Sequence, residues 1–356
     1  VSTMSYSVMQ FCDRLFLAWH DTNDLAAVVP AGVLSWTILS LPMGTAMYAT
    51  TFVAQYLGAK QRQRIGAVVW QAVWIGVCCV PVFVLIGSLG EWIFTAARHS
   101  RELVWRESAY FWILSFGSGA SVINAGLASF WTGRGHTATV MYVNMFAAAI
   151  NIGLDYALIF GFSLPAGLVV PEMGIAGAAL ATSISLWCTS LVFLTLFLGR
   201  DHRAEFGTWK YRNLEFSLLG RLLRFGIPNG FQFFVEGAAI TVFVLIIAQI
   251  SDLASAATAL AFSVNMFVFI PVLGLSFAIT ALVGQQIGES KPELAVRATW
   301  TGLWIGLAYT FVFAGLYVLV PDLFLTLHQA GAADFEGVRE LAAYLLAFVA
   351  VYCVFD

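Results

Sequence analysis

The stretch Phe225–Gln249, FGIPNGFQFFVEGAAITVFVLIIAQ, decides how the chain is read. Between Arg224 and Asp252 its only charged residue is Glu236, and at a rise of about 1.5 Å per residue a helix of this length crosses a bilayer with Glu236 near mid-depth. Asn229, Gln232 and Glu236 fall at i, i+3 and i+7, on one helical face, while Phe, Val, Ile and Leu cover the rest. That face is expected to look at protein or water rather than lipid. An unpaired carboxylate in the membrane costs several kcal/mol, so Glu236 is a functional candidate. The alternative is a structural acid that hydrogen-bonds a neighbouring helix.

Working outward, 60% of the 356 residues are hydrophobic and 10% charged, with a mean hydropathy of +0.85; soluble domains carry about 25% charged residues. The chain is therefore read as all-α and polytopic in a membrane, since helix is the plausible state for such runs in lipid. Net charge is -3, and once the loop charges are assigned no basic field is left for nucleic acid. The five cysteines lie in apolar segments without a C-x-x-C spacing and read as buried small hydrophobes. No G-x-x-x-x-G-K-[ST], H-E-x-x-H or G-x-S-x-G occurs, and all five histidines fall in or beside loops. Nucleotide hydrolysis and zinc chemistry are thus not expected, and no cofactor is.

Ten apolar segments are placed at 1–19, 33–57, 66–90, 107–131, 138–162, 173–199, 225–249, 256–283, 298–320 and 341–356. One set of alternate loops holds twelve basic residues, from Lys60, Arg62 and Arg64 through Arg134 and the 200–224 stretch to Lys291 and Arg297; the other holds Arg98, Arg101, Arg106 and Arg339, interleaved with glutamates. The positive-inside rule makes the first set, and the N-terminus, cytoplasmic, in a plasma (inner) membrane.

An internal repeat follows. An offset of 230 superimposes TFVAQYLGAK (51–60) on ALVGQQIGES (281–290), matching Val53 to Val283, Gln55 to Gln285 and Gly58 to Gly288. Six spans separate the matched segments, so the halves are parallel repeats. The expected organisation is an N-terminal six-helix lobe (1–199), a cytoplasmic linker (200–224) and a C-terminal lobe (225–356). Residue 356 corresponds to about residue 127 of the first half, within its fourth span, so twelve spans are expected in the full architecture and ten here.

The intramembrane acids Asp13, Asp155, Glu236 and Asp356 sort by depth. Asp13, Asp155 and Thr182, on three helices, lie about 10 to 14 Å below the outer surface. Asn151 and Asp155 form an i, i+4 pair that Asn144 extends. Oxygen ligands of this kind suit a proton or a hard cation. Glu236 and Asp356 share a deeper level, with Tyr352 at i-4 from Asp356. Arg14, the one base inside a span, has three routes open to it: pairing with an acid, lining a cavity, or snorkelling outward. Gln10, Tyr48, Gln55, Asn124 and Asn265 are further intramembrane polar residues, individually read as interhelical glue or as cavity lining.

The motifs DRLFLAWHDTNDLAAV (13–28), FVAQYLGA (52–59), WTGRGHT (131–137), NIGLDYALIFG (151–161), MGIAGAALAT (173–182) and FGIPNGFQFFVE (225–236) occur in family order, and through them the chain resembles the multidrug and toxic compound extrusion transporters of the multidrug, oligosaccharidyl-lipid and polysaccharide exporter superfamily. The resemblance implies two six-helix lobes around a cavity that opens alternately to each side, functional as a monomer, and exchange of small organic cations for Na+ or H+. By motif position it implies an amino-lobe cation site at Asp13, Asn151, Asp155 and Thr182, and a carboxy-lobe site at Glu236, Tyr352 and Asp356. Gln10, Arg14, Tyr48, Gln55, Asn144, Asn229, Gln232 and Asn265 are the candidate cavity-lining residues.

Other classes fit less well. A lipid-linked oligosaccharide flippase would need several cavity bases to meet a pyrophosphate, and Arg14 is alone. A membrane-embedded transferase would need clustered acids or a buried histidine, and the four acids sit on separate helices. A channel suits two parallel lobes with acids inside each less than a carrier does.

Overall fold

The computed structural model describes residues 2–163, 169–248, 250–325 and 335–355. The helices are α1 Ser2–His20, α2 Thr22–Met47, α3 Ala49–Gly58, α4 Arg62–Gly87, α5 Gly90–Ala96, α6 Arg101–Thr132, α7 Thr137–Phe160, α8 Gly174–Phe197, α9 Arg200–Phe206, α10 Phe216–Ala248, α11 Asp252–Gly288, α12 Pro292–Leu319, α13 Asp322–Leu325 and α14 Phe335–Phe355. Between α7 and α8, β1 (Phe162–Ser163) pairs antiparallel with β2 (Val169–Val170). The fold is all-α, and the described residues of the ten expected apolar segments are largely helical, with 33–57 divided between α2 and α3. Among the described residues seven helices are long and apolar enough to cross a membrane by length and composition alone. Large apolar side chains such as Trp105, Trp112, Leu191, Trp304 and Phe311 stand exposed on these helices, as expected of a multi-pass membrane protein whose helices meet lipid tails.

Two boundaries differ from the sequence expectation. The second helix starts at Thr22 rather than near 33, with Pro30 and Pro42 inside it. Asp24 looked like a loop residue, but it occupies the first turn of α2, where a carboxylate meets the positive end of the helix dipole and the Arg106 guanidinium. The seventh helix starts at Phe216, nine residues before the apolar run. Its basic first turns are accommodated by ring faces: Arg221 lies 5.6 Å from the Phe52 centroid and Arg224 5.8 Å from that of Phe225.

The repeat reappears as local geometry. Lys60 and Ser290, 230 apart, both take positive φ (58° and 60°). The amide of Gln61 donates to the Tyr56 carbonyl at 2.8 Å and that of Lys291 to the Gln286 carbonyl at 2.9 Å, the long bond that closes a left-handed helix end. The next helices then begin at Arg62 and Pro292, again 230 apart.

The chain forms two compact units, 1–237 with Gly288–Ser290, and Ala238–Ile287 with Lys291–Asp356. The first is built on two apolar clusters. One gathers Phe52, Val53, Ile65, Val68, Phe130, Trp131, Phe193, Phe197 and Phe206; the other gathers Leu17, Ala27, Phe94, Tyr110, Phe111, Ile159 and Ile175. In the second unit Ala257, Ala261, Val264 and Val268 of α11 pack with Tyr317 of α12 and Ala342 and Leu346 of α14, and the Tyr317 hydroxyl donates to the Val264 carbonyl at 3.1 Å.

The segment that follows α8 is strapped to the first unit. Trp70 donates its indole N–H to the Thr208 carbonyl and Trp74 to that of Arg212. Gln71, fully buried, donates to the Asn213 carbonyl at 3.2 Å and accepts from the Glu215 amide at 3.1 Å. Arg64 pairs with Glu215 and Arg62 with Glu205, while Arg134 lies 4.4 Å from both the Phe130 and Phe206 centroids. A Gln71→Leu substitution leaves a backbone N–H and a carbonyl without partners, at about 1–3 kcal/mol each. The expected result is a lower thermal midpoint in detergent and faster proteolysis within 207–215; an unchanged cleavage rate there would count against the strap.

Candidate functional site

Asp13 on α1, Asn151 and Asp155 on α7, and Thr182 on α8 come together inside the first unit. On α7 the buried stripe Asn151, Asp155 and Ile159 runs at i, i+4 and i+8, so two polar side chains continue an otherwise apolar contact face toward α1 and α8. On α1, Asp13 is buried in line with Met9 and Leu17. Thr182 is half-buried between Ala181 and Ser183, and its hydroxyl oxygen accepts from the Asn151 amide at 3.4 Å. Asp155 is fully buried and Asp13 is 4% exposed, and the two carboxylates are near enough for their charges to repel directly.

Four oxygens of this cluster, Oδ1 of Asp13, Oδ1 of Asn151 and both carboxylate oxygens of Asp155, are buried with no hydrogen-bond partner among the described residues. Buried polar atoms are normally satisfied, and an ionised carboxylate can only accept. A concentration of orphaned acceptors on two helices, α1 and α7, calls for something positive: protons on the carboxylates, or a small hard cation between them.

Glu236 is half-buried on α10 at the end of the first unit, whereas Tyr352 is exposed on α14 of the second, and Asp356 lies outside the described residues. Among the candidate lining residues, Gln10 and Asn144 are half-buried, and Arg14 and Gln232 exposed. Tyr48 sits at the break between α2 and α3 and stacks on Phe225 at 6.3 Å. Asn229 donates to the Gly44 carbonyl at 2.7 Å. Gln55 is half-buried on α3. Asn265 is buried on α11 and accepts from the Cys353 thiol at 2.9 Å.

The MatE family model matches residues 1–157 and 228–356. The chain belongs to the MatE family. MatE proteins are transporters rather than enzymes. Among similar proteins, a Bacillus thuringiensis protein named probable multidrug resistance protein NorM is 27% identical over 360 residues, with 100% of this chain and 77% of that protein covered. The multidrug resistance protein PmpM of Pseudomonas aeruginosa is 26% identical over 359 residues, with 99% and 72% covered. A structure described as the outward-facing conformation of a multidrug resistance MATE family transporter of the MOP superfamily superimposes with a TM-score of 0.84 at 20% identity, covering 99% of this chain and 76% of that one. The eukaryotic MATE transporter AtDTX14 gives 0.82 at 19% identity, covering 98% and 76%. At such identities the structures speak for the MatE fold alone.

A second polar assembly in the MatE chain was not anticipated. At the corner between α1 and α2, the His20 Nδ1 lies 2.9 Å from Asp24 Oδ2 and its Nε2 lies 2.8 Å from Glu172 Oε1. Arg106 of α6 donates to Asp21 at 2.8 Å, to Asp24, and to Glu102 at 3.2 Å. Asp24, 2% exposed, also accepts the Ile175 amide at 3.2 Å, so it caps the N-terminus of α8 from another helix. Gly174 makes this approach feasible: its φ is +51°, and a Cβ there would lie 2.8 Å from both Asp24 Oδ2 and the His20 ring. The sequence signal was the interleaving of acids and bases in the loops on this side.

Proposed function

We propose that the protein exports amphipathic organic cations, drugs among them, in exchange for Na+ or H+ by alternating access. The observation that carries this reading is the cluster of orphaned oxygens at Asp13, Asn151 and Asp155; a site that is stable only when charged by an inbound ion is what an antiporter requires. The relatives named as multidrug resistance proteins support the substrate class. In this reading the chain works as a monomer of two lobes, 1–199 and 225–356, joined by 200–224. It lies in the plasma membrane with its N-terminus in the cytoplasm, and Glu236, Tyr352 and Asp356 form a second coupling site. Arg14 is exposed on α1 one residue beyond Asp13.

The test is efflux of a fluorescent organic cation from membrane vesicles carrying the protein, under separately imposed Na+ and pH gradients. Accumulation should follow one gradient or both, and Glu236→Gln should reduce it to the level of empty vesicles. Transport that ignores both gradients would reject antiport, and full activity in Glu236→Gln would remove the second site.

A further inference from the structure

We propose that His20 is a proton-operated latch. As an imidazolium it fastens the segment leading into α8 to the corner between α1 and α2, and loss of one proton undoes the fastening. The argument is a count of hydrogens. Both ring nitrogens of His20 meet carboxylate oxygens, Asp24 at 2.9 Å and Glu172 at 2.8 Å. Ionised carboxylates accept only, and a neutral imidazole has a single N–H. Both bonds therefore exist together only while the ring carries two protons. When one leaves to solvent, a lone pair faces a carboxylate and one bond becomes a repulsion.

The two bonds differ in what holds their far ends. Asp24 is buried and kept in place by Arg106 and by the Ile175 amide. Glu172 is exposed, with a side chain 65% accessible. Deprotonation consequently releases the Glu172 side and leaves Asp24 fixed. The charged groups around the ring are accounted for on each neighbouring element: Asp24 on α2, Asp21 at the corner, Glu172 before α8, and Arg106 with Glu102 on α6 reaching it through Asp24 and Asp21. From α7 the ring meets Phe160, edge-on at 6.1 Å. The latch joins the end of the helix that bears Asp13 to the start of the helix that bears Thr182; His20 lies seven residues beyond Asp13, about 10 Å along α1.

Hydrogen exchange on the purified protein, corrected for intrinsic rates and followed from about pH 5 to about pH 9, tests this. Protection of amides in 170–176 should fall about tenfold or more as pH rises, the loss expected for one hydrogen bond to a charged group. His20→Gln should exchange fast at every pH, and His20→Arg, a permanent cation, slowly at every pH. Glu172→Gln offers an amide that can either donate or accept, so it should keep the fastening and lose the pH dependence; it also serves if His20→Gln fails to fold. Wild-type protection that is flat with pH, or a Glu172→Gln profile identical to wild type, would overturn the latch.

Discussion

Replacing Asp155 with asparagine should cut ion-driven efflux by about 5-fold to about 150-fold and yet yield a protein that resists heat better than wild type. The two effects share one cause. Both Asp155 oxygens are fully buried without a partner among the described residues, and the Asp13 carboxylate repels them. Removing that charge relieves a desolvation and repulsion penalty of about 1–3 kcal/mol, so the thermal midpoint in detergent rises. The same charge is what the proposed coupling ion binds. Losing it removes a coupling free energy of about 1–3 kcal/mol, and accumulation against a gradient falls by about 5-fold to about 150-fold. Asp13→Asn should do likewise, and the double variant should be no worse in transport than either single one, because the two carboxylates act as one site. Efflux and heat inactivation measured on the same preparations decide the matter. A variant that is less stable and still active would mean that these acids hold the helices together and do not couple transport.

The sequence revealed the fold through features that depend only on local composition. Runs such as 225–249 exceed a bilayer thickness, and the glycine and glutamine positions of 51–60 recur at 281–290, so the all-helical membrane character and the repeat followed directly. The amino-lobe cluster was legible for a geometric reason: Asn151 and Asp155 are one turn apart, and depth measured from the helix ends puts Asp13 and Thr182 at their level. The His20, Asp24, Arg106 and Glu172 assembly was not legible, because its members lie up to 152 positions apart and each resembles an ordinary loop charge. Nor was the strap: nothing local marks Trp70, Gln71 and Trp74, whose donors serve carbonyls some 140 residues later in the chain. The sequence spacing of Gly226 and Gly230 is a small-residue pattern that signals close helix packing without naming the partner.

That partner is α2, and Gly44→Ala and Gly230→Ala should each be far more damaging than an alanine elsewhere on the same helices. In the first unit a Cβ at Gly44 would lie 2.7 Å from the Gly230 Cα and 2.9 Å from the Phe233 ring. A Cβ at Gly230 would lie 2.7 Å from the Thr45 hydroxyl and overlap the Leu41 carbonyl oxygen. Most of these neighbours are backbone or are held by backbone: Thr45 already donates to Leu41 at 2.8 Å, and Asn229 locks the seam through the Gly44 carbonyl at 2.7 Å. A methyl group therefore cannot be accommodated by a rotamer change, and the two helices must separate along the whole contact, losing the Asn229 bond as they do. Overpacking of this kind costs about 1–3 kcal/mol. Gly32, also on α2, has nothing within 4 Å of its Cβ position, so Gly32→Ala should be neutral or gain about 0.5–1 kcal/mol from helix propensity. Heating each variant in detergent and measuring the fraction that remains monodisperse gives the comparison. Equal midpoints for Gly32→Ala and Gly230→Ala would show that α2 and α10 do not meet through this seam. A deficit in Gly230→Ala that Asn229→Leu reproduces, without adding to it in the double variant, would show that hydrogen bond and glycine contact form a single unit, as their shared partner at Gly44 requires.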